Sequence, residues 1–183
     1  MKELSLNILD IAENSISANA SLIEIAINES ELKDELKITI VDNGKGMSAE
    51  FLKTVTDPFS TTRTTRKVGM GISLFKLAAE QSSGNFDIES QLGKGTVVRT
   101  MFKRSHIDRP PLGNIGQTIA TLVSCNLGID FKYNHIYNNN DFIFDTREII
   151  KIIPDVPLNT PDVVLWMQDY INEGIAEISS SKM

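Results

Sequence analysis

The chain has 183 residues, enough for one domain with a small addition, and 41% are hydrophobic, which argues against wholesale disorder. A net charge of −6 argues against a general binder of nucleic acid or of anionic membranes. The single cysteine excludes an internal disulfide, and no apolar run approaches the roughly 20 residues that span a bilayer. The first residues also lack the apolar core of a signal peptide, so we expect a cytoplasmic protein.

The first hundred residues alternate between helical and strand patterns. In chain order, the periodicity predicts a helix, two strands joined by a polar hairpin connection, a short helix, a longer helix and two more strands. The first helix is predicted at 6–17, the two strands at 22–27 and 36–40, the longer helix at about 72–82 and the last two strands at 86–89 and 96–102. Ser48 is the predicted N-cap of the short helix.

A boundary is expected in the charged, proline-containing segment 104–112, which would divide the chain into units 1–104 and 105–183. The second unit predicts a helix near 114–126, a hairpin around 138–140 and two further helices, the last over about 161–178. We expect this tail to be a small α+β extension with a partner-binding or regulatory role. For its amphipathic last helix, packing against the first unit is the favoured explanation, and a partner-binding or dimer face is the alternative.

The first predicted helix carries a polar stripe at offsets of three and four residues, formed by Asn7, Asp10, Asn14 and Ser17. An ordinary solvated helix face is one explanation. However, Asn and Asp each cost a helix interior roughly 0.5 kcal/mol or more against Ala, and a surface would more naturally use Glu, Lys or Gln. A carboxylate and an amide oxygen one turn apart suit a water molecule and Mg²⁺, which takes few protein oxygens.

Two glycine-containing segments and a run of basic residues add candidate binding chemistry. Asp42 ends a strand before Asn-Gly-Lys-Gly, where a carboxylate can accept from an exocyclic amine, although such a segment is also a common turn. Gly69-Met70-Gly71 opens a helix and would leave backbone N–H groups free for an anion. Between Pro58 and Ala79 there are four basic residues and no acidic one, a charge pattern that suits a triphosphate.

The order and spacing of these segments resemble the GHKL family of ATPases, named for gyrase, the Hsp90 chaperone, histidine kinase and MutL. Residues 10–18 resemble the N box, 42–47 the first glycine box, 58–59 the F box, 69–74 the second glycine box and 92–96 the third. The resemblance covers residues 4 to about 102. It implies the Bergerat fold, an α+β two-layer sandwich with a mixed sheet and helices on one face.

The resemblance also implies a Mg²⁺-ATP site. Asn14 would bind Mg²⁺, Asp42 would accept from the adenine amino group, Thr96 would support the base, and residues 59–70 would form a lid. The complete set implied for nucleotide binding is Asn14, Asp42, Gly44, Gly46, Met47, Phe59, Thr62, Arg63, Lys67, Gly69, Met70, Gly71 and Thr96.

Two departures from the family pattern bear on activity. Hydrolytic members carry Glu four residues before the Mg²⁺ asparagine, whereas this chain has the shorter Asp10 as its candidate general base. The N box begins within ten residues of Met1, so we expect a stand-alone form without the dimerising hairpin that carries the phosphoacceptor histidine of sensor kinases, and His106 and His135 both follow the ATP-binding region. We expect both histidines to be structural or exposed.

Three functions remain open on these grounds. The first is a regulatory ATPase that acts on, or is sensed by, a protein partner, with a homodimer as an alternative assembly. The second is a Ser/Thr protein kinase of the anti-sigma-factor type, and the third is a nucleotide sensor without catalysis. A role with nucleic acid or membranes is not expected, because the charge is negative and the tail is not basic.

Overall fold

Six strands form one mixed sheet in the computed structural model, which describes residues 3–56 and 70–180. They are β1 (Leu22–Ser30), β2 (Glu35–Asp42), β3 (Asn85–Gln91), β4 (Gly95–Lys103), β5 (Asp130–Tyr137) and β6 (Asn140–Asp145). The order across the sheet is β3-β4-β2-β1-β5-β6. All neighbours are antiparallel except β1 and β5, which run parallel.

Six helices accompany the sheet in the described residues: α1 (Leu4–Ser17), α2 (Ala49–Val55), α3 (Met70–Gln81), α4 (Ile115–Cys125), α5 (Thr146–Ile152) and α6 (Pro161–Ser180). Three of them begin with a side chain that accepts a backbone N–H, a stabilising cap. These caps are Ser48 on α2, Asn114 on α4 and Asp145 on α5. None of the described helices is long and apolar enough to cross a membrane.

One face of the sheet is covered by helices and forms the core. Along β1, Ile23, Ile25 and Ile27 are buried at every second position, as expected for a strand with one covered face. They join residues of α1, α3, α4 and α6 in a single hydrophobic cluster. The opposite face carries charged pairs such as Arg99 with Asp87. This two-layer arrangement with a mixed sheet confirms the predicted α+β fold class.

The tail contributes to the same sheet as the first hundred residues. Strand β5 pairs in parallel with β1, with Ile25 opposite Tyr133, and β6 completes the edge. Strands from the predicted units 1–104 and 105–183 therefore share one hydrogen-bonded sheet, which the sequence patterns did not indicate.

Helix α6 has one buried side and one partly exposed side. Met167 and Ile171 are fully buried, which accounts for one half of the amphipathic pattern. On the adjacent side of the helix, Trp166 and Tyr170 are 45% and 40% exposed. Core packing therefore explains only the inner face of α6.

Candidate functional site

A cavity of about 280 Å³ opens between α1, α2, α3 and the ends of β2 and β4. Its walls are mainly apolar, with a small number of polar groups, a composition typical of small-molecule sites. The apolar lining includes Ile11, Ile40, Phe51, Ile72 and Val98, and the polar lining consists of Asn14, Ser15, Ser17, Asp42, Lys45 and Thr96.

Asp42, at the end of β2, is held by two hydrogen bonds. The Ser15 hydroxyl donates to one carboxylate oxygen at 2.6 Å, and the Gly44 N–H donates to the other at 2.8 Å. The residue is only 8% exposed. Because each carboxylate oxygen has more than one lone pair, Asp42 keeps acceptor capacity for a group in the cavity while its orientation is fixed.

The loop after Asp42 is fixed by its backbone, which explains two of its glycines. Gly46 has a φ of +66°, and a Cβ there would lie 2.0 Å from the carbonyl oxygen of Gln91. Gly95 has a φ of +103°, and its Cβ would lie 1.9 Å from the carbonyl oxygen of Asp42. Side chains are therefore excluded at both positions by the left-handed φ and by close backbone approach. The two glycines allow the loop and β4 to meet at the edge of the cavity.

Ser90 connects three parts of the cavity wall. It lies opposite Thr96 in the β3–β4 register, and the two hydroxyl oxygens are 2.8 Å apart. The Met47 N–H donates to the Ser90 hydroxyl at 2.8 Å, and this hydroxyl donates to the Gly95 carbonyl at 3.0 Å. The position of Thr96 is thus coupled to the loop that contains Met47.

Asn14 and Asp10 lie one turn apart on α1 in different surroundings. Asn14 is partly buried and lines the cavity. Asp10 is exposed, and its Cβ would lie 3.0 Å from a Cβ added at Gly71. The first turn of α3 therefore approaches α1 closely beside Asp10.

The structure brings five of the predicted binding residues to the cavity wall: Asn14, Asp42, Gly46, Met47 and Thr96. Gly44 contacts Asp42, whereas Asp10, Met70 and Gly71 are not among the lining residues. Phe59, Thr62, Arg63, Lys67 and Gly69 lie outside the described residues, as does most of the predicted lid. In the polar stripe of α1, Asn7 is buried rather than solvated.

Sequence reasoning assigned no role to Ser15 or Ser90. Ser15 directly follows Asn14, and its position on the strand-facing side of α1 was the available signal. Ser90 gave no comparable signal, because a serine in a half-exposed strand is an ordinary residue. Only the strand register brings it to Thr96.

The two histidines are away from the cavity. His135 is fully buried between the Tyr133 hydroxyl at 2.7 Å and a Glu29 carboxylate oxygen at 3.0 Å. Burial by itself raises the pKa of Glu29, but its contacts with His135 and Arg104 lower that pKa below the ordinary value. Burial and the nearby Glu29 charge raise the pKa of Tyr133 well above its usual range. His106 is partly exposed. These positions agree with the expected structural or exposed roles.

Comparison with known proteins places this geometry in context. A sequence model of the family described as "Histidine kinase-, DNA gyrase B-, and HSP90-like ATPase" matches residues 1–106. The "Putative sensor histidine kinase NtrY-like" of Rickettsia bellii is 31% identical over 103 residues, which cover 56% of this chain and 16% of that protein. The sensor protein SrrB of Staphylococcus aureus is 41% identical over 78 residues, covering 40% and 13%.

A solved structure, the N-terminal domain of a DNA repair protein, superposes with a TM-score of 0.57 at 16% identity. It covers 78% of this chain and 52% of that chain, so the likeness concerns the fold and extends past the residues that the family match covers. The chain spans only 13% to 18% of the lengths of the curated relatives it matches.

Proposed function

This chain belongs to the histidine kinase-, DNA gyrase B- and HSP90-like ATPase family, and we propose that it binds Mg²⁺-ATP and signals its nucleotide state to a protein partner. The observation that carries the proposal is Asp42, a nearly buried carboxylate oriented by Ser15 and Gly44 at the wall of a largely apolar cavity. An oriented acceptor beside apolar walls suits a flat base with an exocyclic amine.

The other residues of the cavity fit the rest of such a ligand. Asn14 would offer one amide oxygen to Mg²⁺, and the phosphate oxygens and water would complete the coordination, as this ion prefers. Thr96, held by Ser90, would contact the base edge. The backbone N–H groups at the start of α3, including that of Gly71, would hold phosphate oxygens. Arg63 and Lys67 are proposed to supply positive charge to the triphosphate.

Isothermal titration calorimetry with Asp42→Asn tests the base-binding role. The amide replaces a charged acceptor with a weaker one, and a hydrogen bond to a charged group is worth about 1.5–3 kcal/mol, or roughly ten- to a hundredfold in Kd. The loss should be specific for adenine nucleotides, with an intact fold by circular dichroism. Unchanged ATP affinity would remove Asp42 from the proposed site.

Asn14→Ala tests the metal role separately. The side chain lines the cavity rather than the hydrophobic core, so the variant should fold and should lose the Mg²⁺ dependence of ATP binding. An unfolded variant would instead identify Asn14 as a structural residue.

Hydrolysis by the isolated chain is proposed to be weak, because Asp10 is the candidate base. Its carboxylate falls short of a glutamate by one C–C bond, about 1.5 Å, and a misplacement of about 1 Å can cost a hundredfold in rate. Asp10→Glu should raise the turnover measured by phosphate release, and Asp10→Asn should remove what remains. Rapid hydrolysis by the unmodified chain would contradict this account.

The destination of the γ-phosphate separates the candidate activities. Incubation with γ-labelled ATP and cell extract should transfer label to water if the chain is a slow ATPase, or to another protein if it is a kinase of the anti-sigma-factor type. Nucleotide binding with no transfer to either would favour the sensor, a role for which the short Asp10 carboxylate leaves room.

A further inference from the structure

The outward face of α6 combines exposed apolar side chains with carboxylates. Leu165 is 60% exposed, and the half-exposed rings of Trp166 and Tyr170 follow it. Acidic residues recur on the same face, since positions three, four and seven apart on a helix point in one direction. The six residues that border a shallow groove there, named the acidic–aromatic face, are Asp162, Leu165, Trp166, Asp169, Tyr170 and Glu173.

The rings of this face are held in place before any partner binds. Trp166 and Tyr170 stack with centroids 5.1 Å apart and planes 12° apart. Tyr170 in turn meets Phe142 of β6 edge-on at 5.3 Å, which ties the stack to the sheet. Rigid aromatic groups lose little conformational entropy on binding, so an ordered, half-exposed stack favours recognition of a partner.

The charged residues of α6 and of the segment before it are all acidic. Residues 152–181 contain five acidic and no basic residues, in a chain whose net charge is −6. Among the described residues, Asp162, Asp169 and Glu173 form no ion pair. These carboxylates are therefore available to a cationic group from outside.

The charge pattern disfavours a second copy of the chain on this face. A two-fold interface would place the same surface against itself, so the carboxylates would oppose their own copies, and like charges at an interface are costly. The same carboxylates would attract a cationic partner instead of repelling it. Arginine suits the surface best, because its planar guanidinium stacks on aromatic rings and pairs with carboxylates at the same time.

We propose that the acidic–aromatic face binds an arginine-bearing amphipathic helix of a partner protein, with Leu165 contacting the apolar side of that helix and Asp162, Asp169 and Glu173 pairing with its arginines. The inference deepens the proposed function, on which it rests, by giving the chemistry of the partner and the surface that meets it.

Trp166 is the only tryptophan of the chain and lies within the face, so its fluorescence reports directly on occupancy. The probe is a synthetic amphipathic peptide of about four helical turns with leucine and arginine on one side. We expect saturable binding that shifts Trp166 emission, with a Kd that rises with salt because part of the attraction is between exposed charges. A matched peptide with glutamate in place of arginine should not bind.

Two double variants test the assignment of the surface. Asp169→Asn/Glu173→Gln should weaken the arginine peptide at least tenfold, measured by calorimetry as well as fluorescence. Asp87→Asn/Glu89→Gln removes the same charge from exposed positions on β3, at the sheet edge opposite β6, and should leave binding within about twofold, since distant charges are screened. Equal losses in both variants, or equal binding of the glutamate peptide, would overturn the proposal.

Sedimentation equilibrium and nucleotide titration complete the test. A dimer of the chain that Leu165→Glu dissociates would assign the face to a second copy and overturn the proposal. ATP binding, measured on the same samples, should be unaffected by Asp169→Asn/Glu173→Gln. Peptide binding without ATP binding would refute the proposed function and retain the face, whereas ATP binding without peptide binding would refute the face alone.

Discussion

The hydroxyl group of Ser15 illustrates how one side chain can set the properties of another. It donates to Asp42 from the neighbouring helix, at a distance of 2.6 Å. A carboxylate that is almost fully buried depends on such partners for both its orientation and its solvation. Ser15 therefore acts through Asp42 and is a positioning residue.

We expect Ser15→Ala to weaken ATP binding by roughly fivefold, about 1 kcal/mol, because Asp42 loses one of its two observed donors. Calorimetry of the purified variant measures this, and Ser17→Ala is the control, since Ser17 also lines the cavity on α1. The two variants should differ, and a similar loss in both would mean that Asp42 does not require Ser15 for its orientation.

The buried contact between Glu29 and His135 predicts a pH dependence of stability. The folded-state pKa of Glu29 lies below its ordinary value of 4.5, so this group's contribution is fully present above about pH 4.5 and is lost as the pH falls through the lowered pKa. In Glu29→Gln, the unfolding free energy should therefore fall less steeply as the pH is lowered through the acid range. Urea denaturation at several pH values measures this acid limb.

Glu24→Gln provides the comparison for that experiment. This variant also removes one glutamate carboxylate from β1, but the Glu24 carboxylate forms an exposed ion pair with Lys132 at 3.9 Å. Exposed pairs contribute little to stability, so the acid limb should be almost unchanged in this variant. An acid limb in Glu29→Gln as steep as that of the unmodified chain would contradict the assignment.

The contact between helix α6 and strand β6 requires a residue without a side chain at position 174. Gly174 is buried in α6, and a Cβ there would lie 2.2 Å from the ring of Phe142. This close approach seats the helix on the sheet edge that also anchors the stack of Tyr170.

Gly174→Ala should destabilise the protein by about 1–3 kcal/mol, although a glycine-to-alanine change in a helix usually stabilises it by about 0.5–1 kcal/mol. Urea denaturation followed by Trp166 fluorescence measures the difference. Gly128→Ala is the control, because nothing lies within 4 Å of its added Cβ. A more stable Gly174→Ala protein would show that the Phe142 ring yields without cost.

The elements themselves could be predicted from the sequence because their signals are local. Alternation at Leu36, Ile38 and Ile40 predicted β2, and Ser48 predicted the start of α2. The pairing of β5 with β1 could not be predicted, since alternation reveals which face is buried but not which strand lies alongside. The cavity could be predicted only in part. Its motif residues are recognisable in the sequence, whereas Ser90 contributes only because the β3–β4 register places it opposite Thr96.

At the scale of the whole molecule, the shared sheet makes the cavity and the tail parts of one structure. The only tryptophan lies in α6, whereas the proposed nucleotide site lies between α1, α2 and α3. If both unfold together, Trp166 will report stabilisation by a ligand that it does not touch.

We expect one cooperative transition by Trp166 fluorescence, shifted upward by Mg²⁺-ATP by an amount that grows with the logarithm of the nucleotide concentration above Kd. At a nucleotide concentration of 100 times Kd, the gain should be about 2.7 kcal/mol. A combination with Asp42→Asn, assayed at the same nucleotide concentration, should reduce the shift. A Trp166 transition that ignores the nucleotide while circular dichroism detects stabilisation would show that the tail unfolds separately.

The parallel pairing of β1 with β5 has a consequence for the order in which the protein forms during synthesis. Glu29 and His135, which join these strands, are 106 residues apart in the chain. A nascent chain that has emerged only as far as β4 has one side of β1 without its neighbour, and unpaired strand edges are prone to aggregation. Strand β1 is thus synthesised before the other strands of the sheet and acquires its second neighbour late, so we expect the ribosome-bound intermediate to be the stage that benefits most from chaperone protection.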